Sequence, residues 1–257
     1  MLKRMLDVFV SSVGLLALSP LIVAVAIWIK WDSPGPVFYR GKRGGRNGKP
    51  FSIFKFRSMV TDADRIGGPS TAEGDTRITR SGHFIRRYKL DELPQLICVL
   101  LGDMSLVGPR PEVFQKTEQF NEEQRRTLSV QPGITDWASI WNSDEGAVLA
   151  GTPDPDEAYE RVLKPTKLEL QLVYLRTRSL WGDVRIILVT LVRLVRRNWL
   201  PTELADYPTL AELRCEVEEL IAAGARPAQT ETGTTGPMRS VTEGAAQEVG
   251  ATNDVPG

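Results

Sequence analysis

The chain has 257 residues, which is enough for one domain of ordinary size together with an anchor and a tail. Its 32 basic and 32 acidic residues balance, and without a basic excess we expect no nucleic acid as a partner. The single histidine, His83, excludes a multi-histidine zinc site, and the two distant cysteines, Cys98 and Cys215, predict reduced thiols. Any catalysis is therefore expected to depend on carboxylates, basic side chains and a hard metal ion.

An uncharged apolar run covers residues 8–29. As a straight helix it would measure roughly 33 Å, enough to cross a hydrocarbon core of about 30 Å. Ser19 and Pro20 lie close to its centre, however, where proline removes a backbone donor and bends or breaks a helix. Basic residues lie on both sides of the run, beginning with Lys3 and Arg4 before it, so the positive-inside rule favours the cytoplasm for both ends.

This pattern predicts a re-entrant membrane helix over residues 1–31. An ordinary spanning helix stays open as an alternative, because proline does occur in spanning helices, and it would place residues 1–7 on the opposite side of the membrane from the rest of the chain. A cleaved signal peptide is disfavoured, since the apolar run is longer than the usual apolar core of such a peptide and no small-x-small cleavage site follows it.

Two strand-like segments follow, at residues 36–40 and 50–56, and a basic turn containing Asn47 and Gly48 joins them. The residues of this turn do not fit a Walker phosphate loop. The turn is expected either to contact anionic lipid headgroups or to be a solvated hairpin tip. The polar residues 61–82 are rich in helix breakers and predict a loop over the active site.

Two adjacent carboxylates, Asp91 and Glu92, precede an apolar helical run at residues 96–101. Pro94 is tolerated in the first turn of a helix and Gly102 is a suitable C-cap, so the pattern predicts that Asp91 lies near the N-cap. The free N–H groups and the positive dipole end at a helix N-terminus bind anions.

Basic residues flank this acid pair in sequence, namely Arg86, Arg87, Lys89 and Arg110. They would hold a phosphate and keep a carboxylate ionised, so a nucleophile could lie beside its target. The alternative is that Asp91 is only a helix cap and that the arginines form a solvated surface.

The second half of the chain is predicted to be largely helical, with helices at residues 113–127, 156–175 and 181–199 and a loop at 142–156. Pro165 marks a break or a new first turn within the second of these helices. The third is basic and amphipathic, with Arg193 among its charges. Such a helix either lies in a membrane interface or packs on a core with a charged outer face.

Residues 225–257 have almost no large apolar side chains and are predicted to be a disordered tail. Residues 32–224 are predicted to form one domain at the cytoplasmic face of the membrane. The expected fold is therefore α+β, mainly helical with a small β-hairpin, an N-terminal re-entrant membrane helix and amphipathic interfacial helices.

Five segments of the chain, in this order, resemble the bacterial sugar transferase family, the monotopic polyprenyl-phosphate phosphoglycosyl transferases. They are KRMLDVFVSSVGLLALSPL, SPGPVFYRGKRGGRNGKPFSIFKFRSM, LDELPQL, GDMSLVGPRP and QPGIT. The resemblance covers about residues 1–200 and rests on several consecutive motifs rather than one. The small, single-domain members are the most similar.

The resemblance implies transfer of a phosphosugar from a UDP-sugar to a polyprenyl phosphate such as undecaprenyl phosphate, with UMP as the second product. The reaction would begin polysaccharide or glycoconjugate synthesis at the cytoplasmic face of the bacterial inner membrane, in contact with membrane lipids. By their place in LDELPQL, Asp91 would be the nucleophile that forms a covalent phosphosugar intermediate and Glu92 its dyad partner. Mg²⁺ would sit at Asp91.

The resemblance also assigns the basic residues. Lys55 in FKFRSM and Arg110 in GPRP would contact phosphates, with Arg86 and Arg87 behind them. Ser19 and Pro20 match the break of the family's re-entrant helix, which favours re-entry over an ordinary span.

One segment departs from the family pattern. Many members carry an Asn-Gly-Arg segment after PGIT, whereas this chain reads TDWASIWNSDEGAVLAG and has no arginine between Gln131 and Gly151. This difference indicates either a subgroup with a different nucleotide or sugar contact, or a diphosphate contact made by Arg161 or Arg110, and the sequence does not assign the role.

Two alternative functions stay open at this point. A non-enzymatic membrane scaffold of a polysaccharide assembly complex would not need the acid pair, and a glycosyltransferase that moves sugar alone would release UDP. The sequence does not determine the sugar, the glycan pathway or the oligomeric state, a homo-oligomer included.

Overall fold

The computed structural model describes residues 1–196 and 199–224. The helices of this part are α1 (Leu2–Asp32), α2 (Ala63–Ile66), α3 (Arg80–Arg87), α4 (Gln95–Leu101), α5 (Phe114–Glu118), α6 (Glu122–Arg125), α7 (Trp137–Trp141), α8 (Glu145–Val148), α9 (Pro155–Ala158), α10 (Lys164–Thr177), α11 (Leu180–Val195) and α12 (Leu210–Gly224). The strands are β1 (Phe38–Gly44), β2 (Pro50–Phe56), β3 (Ser105–Val107) and β4 (Gly133–Thr135). The predicted α+β class, mainly helical with a small hairpin, is confirmed. The predicted tail at 225–257 lies outside the described residues.

Helix α1 is one continuous helix that runs through Ser19 and Pro20. Pro20 cannot donate to the carbonyl of Leu16 one turn earlier. The hydroxyl of Ser19 donates to that carbonyl instead, at 2.8 Å. The residue pair that was predicted to break the helix therefore replaces a backbone hydrogen bond with a side-chain one.

Both ends of α1 contact the rest of the protein. Near its start, the carboxylate of Asp7 is buried and accepts hydrogen bonds from Ser105 Oγ at 2.9 Å and Leu106 N at 3.1 Å. At its end, Asp32 accepts a hydrogen bond from Ser81 N at 2.8 Å. Most of the helix between these contacts is exposed, since only 11% of its most apolar 18-residue window is buried. A core helix of a water-soluble domain would be mostly buried.

Strands β1 and β2 pair antiparallel, from Phe38 opposite Phe56 to Gly44 opposite Pro50. Strand β1 therefore extends four residues further than predicted and takes up part of the basic segment. The turn falls where the sequence placed it, because Asn47 and its neighbour glycine both adopt positive φ angles, of 57° and 73°.

The short strands β3 and β4 pair in parallel, Ser105 opposite Gly133 and Val107 opposite Thr135. Gly108 directly follows β3, and a Cβ at Gly133, the first residue of β4, would collide with its backbone atoms. Only glycine at position 133 allows these two segments to approach so closely. The contact brings the PRP and PGIT segments side by side.

Two groups of buried apolar side chains hold the fold together. The larger joins the helices of the second half and includes Trp141, Leu163 and Leu213. The smaller consists of Val25, Ile29, Phe56 and Ile85. It attaches the second half of α1 to β2 and α3.

Several predicted helix bounds were wrong. Residues 113–127 form two short helices and a 3-10 turn, and the predicted loop at 142–156 contains α8 and the start of α9. The helical prediction at 156–175 is confirmed, with Pro165 in the first turn of α10. Arg193 is buried and donates to the carbonyls of Ile140 and Trp199, so it does not belong to a charged outer face. Neither of these contacts can be read from the spacing of the helical pattern.

Candidate active site

The acid pair lies in a tight turn between α3 and α4. Lys89 adopts the left-handed conformation, with φ 56°, and residues Leu90–Glu92 form a single 3-10 turn. Helix α4 then begins after Pro94 and ends at Gly102, whose φ of 91° confirms the predicted C-cap.

Asp91 lies three residues before the N-cap, Pro94, and does not cap this helix, so the alternative that it is only a helix cap is wrong. A capping carboxylate accepts from the amide two or three residues later. The amide of Leu93 donates to Leu90 O at 3.2 Å, and Pro94 has no amide hydrogen. The Asp91 carboxylate is therefore left for other partners.

Glu92 is fully engaged by two basic side chains. Arg110 Nη1 donates to Glu92 Oε2 at 3.0 Å, and Arg110 Nη2 donates to Oε1. Lys55 Nζ donates to the same Oε1 at 3.2 Å. This bidentate pair with an added ammonium fixes the side chains of all three residues.

Asp91 is the less engaged carboxylate of the two. Its side chain is only 10% exposed, and Lys55 Nζ lies 3.8 Å from Oδ2. Oδ1 is buried and has no hydrogen-bond partner within the described part of the chain. Buried carboxylate oxygens are normally satisfied, so an unpaired one indicates a partner supplied from outside the chain.

The surrounding charges act differently on the two carboxyl groups. Burial raises the pKa of Asp91, and the Lys55 ammonium opposes this effect. Burial also opposes ionisation of Glu92, but Arg110 and Lys55 outweigh it and hold the pKa of Glu92 well below its usual range. The charge of Glu92 in turn raises the pKa of Arg110. Glu92 is thus a permanent anion that orients the two cations beside Asp91.

The predicted basic residues differ in how closely they approach the acid pair. Lys55 and Arg110 contact the acid pair directly. Arg86 is half-buried on α3, close enough for its charge to act on Asp91, and Lys89 acts on it in the same way. Arg87 is exposed on the same helix, and its role in binding phosphate stays a prediction.

Arg43 is an additional cation that the sequence assigned to the basic turn. It lies on β1, and its charge acts on both Lys55 and Arg110. Burial lowers the pKa of Arg43. Its position on β1 follows from the pairing of β1 with β2, in which Arg43 lies opposite Phe51, and the sequence alone does not show this pairing register.

A second polar network was missed by sequence reasoning. Lys167 Nζ donates to Tyr159 OH at 2.8 Å and lies 3.3 Å from Glu145 Oε2. Tyr159 donates to Glu112 Oε1 at 2.9 Å, two residues after Arg110. The charge of Glu145 also acts on Arg110, which joins this network to the acid pair. No local motif marks residues that lie this far apart in sequence.

The polar segment 61–82 contains α2 and the start of α3, and that it forms a loop over the active site stays a prediction. Arg77 holds the loop together by pairing with Asp75 and donating to the carbonyls of Gly68 and Ser70. The amide of Glu73 donates to the carbonyl next to Glu145, that of Gly146, at 2.9 Å.

The described residues contain no group of three or more histidine, cysteine or acidic side chains that could hold a metal ion alone. Mg²⁺ commonly binds through one or two carboxylates together with substrate phosphates and water. The unpaired oxygen of Asp91 fits that role, whereas both oxygens of Glu92 already have partners. The site therefore fits a magnesium ion that arrives with a phosphate ligand.

One protein family shares the sequence pattern that carries this fold and acid pair, the bacterial sugar transferase family. Residues 1–197 match the sequence model of that family, and the chain belongs to it. The family membership predicted from the motifs is confirmed.

Curated relatives agree with this assignment. The chain is 39% identical to UDP-glucose:undecaprenyl-phosphate glucose-1-phosphate transferase of Escherichia coli K12, over 75% of this chain and 40% of that protein. It is 43% identical to undecaprenyl-phosphate glucose phosphotransferase of Komagataeibacter xylinus, over 74% and 35%. The chain thus spans less than half the length of these two relatives. It is also 39% identical to the exopolysaccharide production protein PSS of Rhizobium leguminosarum bv. phaseoli, over 77% of this chain and 96% of that protein.

Proposed function

We propose that this protein transfers a phosphosugar from a UDP-sugar to undecaprenyl phosphate, with UMP as the other product, at the start of exopolysaccharide or glycoconjugate synthesis. The observation that carries the proposal is the buried, unpaired oxygen of Asp91 beside Lys55 and Arg110. The names of the relatives supply the substrate classes, since they describe sugar-phosphate transfer to undecaprenyl phosphate.

The first step is attack of an Asp91 oxygen on the sugar-bearing phosphorus of the donor. The bond from that phosphorus to the bridging oxygen breaks, and UMP leaves with the bonding electron pair. Lys55 and Arg110 lie where they can neutralise the charge that develops on the phosphate oxygens. Because both are held by Glu92, they need little rearrangement during the reaction.

The second step transfers the phosphosugar to the lipid. An oxygen of undecaprenyl phosphate attacks the same phosphorus, and Asp91 departs as a carboxylate. The products are undecaprenyl diphosphosugar and the regenerated enzyme. Arg86 and Lys89, whose charges act on Asp91, stabilise the carboxylate that is released.

Asp91 is the residue that would hold Mg²⁺, together with the donor's phosphates. When bound, the ion would neutralise phosphate charge as a Lewis acid. Both oxygens of Glu92 already have partners, so Glu92 orients Lys55 and Arg110 rather than holding the ion.

We place the protein at the cytoplasmic face of the inner membrane with α1 as a re-entrant helix. As a straight helix, 31 residues would extend about 46 Å, yet the two ends contact the same domain. Lys3 near the start is paired with the buried Asp183 at 2.6 Å, and Asp32 at the end binds Ser81 N. A helix that crossed the bilayer would separate these ends by the full membrane.

Helix α11 adds a second apolar surface. Trp181, Leu188, Leu191 and Val195 are exposed on one face of it, Trp181 to 80% and Val195 to 84%. An exposed stripe at helical spacing is typical of a helix that lies in a membrane interface. Asp183 joins the start of α11 to Lys3 of α1, so the two apolar surfaces are neighbours.

The test is nucleotide release by detergent-solubilised protein with undecaprenyl phosphate, Mg²⁺ and a panel of UDP-sugars. We expect UMP with one or more donors, and its loss in Asp91→Asn, which keeps the size of the side chain but removes the charged nucleophile. Asp103→Asn, a neighbouring acidic residue at the end of α4, is the matched control. Release of UDP would show a glycosyltransferase, and UMP release by Asp91→Asn at the wild-type rate would refute the proposed nucleophile. No release from any donor, with intact membrane association, would favour the scaffold.

A further inference from the structure

Glu145 lies at the edge of the candidate site, yet the reaction proposed above does not use it. Two cations beside the acid pair, Arg110 and Lys89, act on its charge. Its side chain is 35% exposed, so it is reachable from solvent. It lies in the segment after PGIT, where this chain has no arginine.

The position of the Glu145 carboxylate is set by a chain of partly buried hydrogen bonds. Oε2 faces Lys167 Nζ at 3.3 Å, and Lys167 is held in turn by Tyr159 and through it by Glu112. The backbone beside Glu145 is also held, because the amide of Glu73 donates to the carbonyl of Gly146, the residue after Glu145. Oε1 has no hydrogen-bond partner within the described residues, which leaves one oriented acceptor free.

An ionised carboxylate only accepts hydrogen bonds. Burial opposes ionisation of Glu145, but Lys167 and Arg110 outweigh it and hold its pKa below the ordinary value. A phosphate at neutral pH offers few protons to donate and repels the carboxylate, whereas a hydroxyl group donates. Glu145 is therefore suited to a hydroxyl-bearing group beside the phosphate that Arg110 contacts.

The chemistry of the donor supplies such groups on both sides of its diphosphate. A UDP-sugar carries ribose at one end of the diphosphate and the sugar at the other. Both rings present hydroxyl groups within a few bonds of the phosphates. Asn142, three residues before Glu145, has a buried amide whose oxygen and nitrogen both lack partners in the described part of the protein, which also indicates a polar group from outside the chain.

We propose that Glu145 is a specificity-determining residue that binds a hydroxyl group of the nucleotide-sugar donor. This inference rests on the proposed function. Glu145 accepts from the hydroxyl through Oε1, while Lys167 holds Oε2 in place. A donor that lacks the hydroxyl leaves Oε1 without its hydrogen bond and is therefore bound less tightly.

The experiment compares wild type with Glu145→Gln. We expect the KM for the donor to rise about tenfold with kcat nearly unchanged, since the contact is made equally in the ground state and the transition state. Glu160→Gln is the matched control, because Glu160 is also paired with two lysines, Lys116 and Lys164, in the neighbouring network. An unchanged KM in Glu145→Gln, or a fall in kcat alone, would overturn the proposal.

Deoxy donors identify the hydroxyl. UDP-glucose, its ribose 2′-deoxy and 3′-deoxy analogues and its sugar-deoxy analogues are assayed with both proteins. The analogue that lacks the contacted hydroxyl should be used equally by wild type and Glu145→Gln, while the other analogues keep the tenfold difference. A difference that persists with every analogue would mean that Glu145 only supports Lys167, and it would refute the contact.

Binding of the same nucleotides is also measured through the shift in unfolding temperature, which needs no turnover. If wild type releases no nucleotide but binds UDP-glucose through a Glu145-dependent hydroxyl contact, the proposed reaction fails and the binding site stands. If wild type releases UMP and Glu145→Gln has the same KM and the same binding shift, the reaction stands and the hydroxyl contact fails.

Discussion

Replacing Arg110 with methionine should destabilise the folded protein through Glu92. The variant removes both hydrogen bonds that the guanidinium donates to Glu92, together with its bond to the carbonyl of Ile134, and leaves Lys55 at 3.2 Å as the remaining partner of Glu92. Glu92 and Arg110 are 16% and 29% exposed, so water replaces only part of the lost interaction. A hydrogen bond to a charged group contributes about 1.5–3 kcal/mol, and we expect a loss of about 2–3 kcal/mol in the free energy of unfolding. Denaturant unfolding in detergent measures it.

The pH dependence of this loss follows from the pKa of Glu92. Because its pKa in the folded state lies well below its ordinary value of about 4.3, Glu92 contributes stability above that pH and loses the contribution as the pH falls towards the folded-state pKa. Arg110→Met raises the pKa of Glu92. The stability difference between wild type and variant should therefore be full at pH 7 and shrink below about pH 4.3.

Arg185→Met is the control for this measurement. Arg185 is paired with Glu203 at the surface, where both side chains are far more exposed. Exposed ion pairs contribute at most about 1 kcal/mol, so this variant should unfold close to wild type. Equal midpoints for Arg110→Met and Arg185→Met, or a difference from wild type that does not shrink as the pH falls well below about 4.3, would refute the account of Glu92 as a buried, ion-paired anion.

Two further predictions concern the packing that positions the site. Gly133→Ala should cost about 3 kcal/mol, because its Cβ would collide with the backbone of Gly108. Thermal unfolding measures the cost, with Gly146→Ala as the control, since a Cβ at Gly146 would have no atom closer than 3.5 Å. A midpoint equal to wild type would mean that the strands separate without cost. Asp183→Asn removes the charge that pairs with Lys3, while the amide oxygen of the new side chain can still accept from Tyr174. This variant should lower the free energy of unfolding by about 1–2 kcal/mol. An unchanged value would show that Lys3 contributes nothing to docking α1.

Local chemistry predicted the features whose causes are local. The hairpin turn depends on residues that tolerate positive φ, and the pair Asn47 and Gly48 predicts such a turn directly. The end of α4 depends in the same way on Gly102. The acid pair was identified by its motif, but its setting in a 3-10 turn was not, because the left-handed Lys89 gives no signal in the sequence.

Features that depend on distant residues could not be predicted. Arg193 belongs to an amphipathic pattern, yet it is buried because carbonyls of Ile140 and Trp199 accept from it. The pairing of Glu145 with Lys167 joins residues 22 positions apart. The role of each depends on tertiary packing, and charge patterning alone treats both as surface residues.

The elements that pack against α1 also present the site. On β2, Phe56 packs against α1 while its neighbour Lys55 faces the acid pair. Successive residues of a strand point to opposite faces, so one strand serves both contacts. On α3, Ile85 packs against α1, and the charge of the next residue, Arg86, acts on Asp91. The position of the acid pair relative to α1 is therefore fixed by packed secondary structure, as the proposed reaction between a nucleotide-sugar and a membrane lipid phosphate requires.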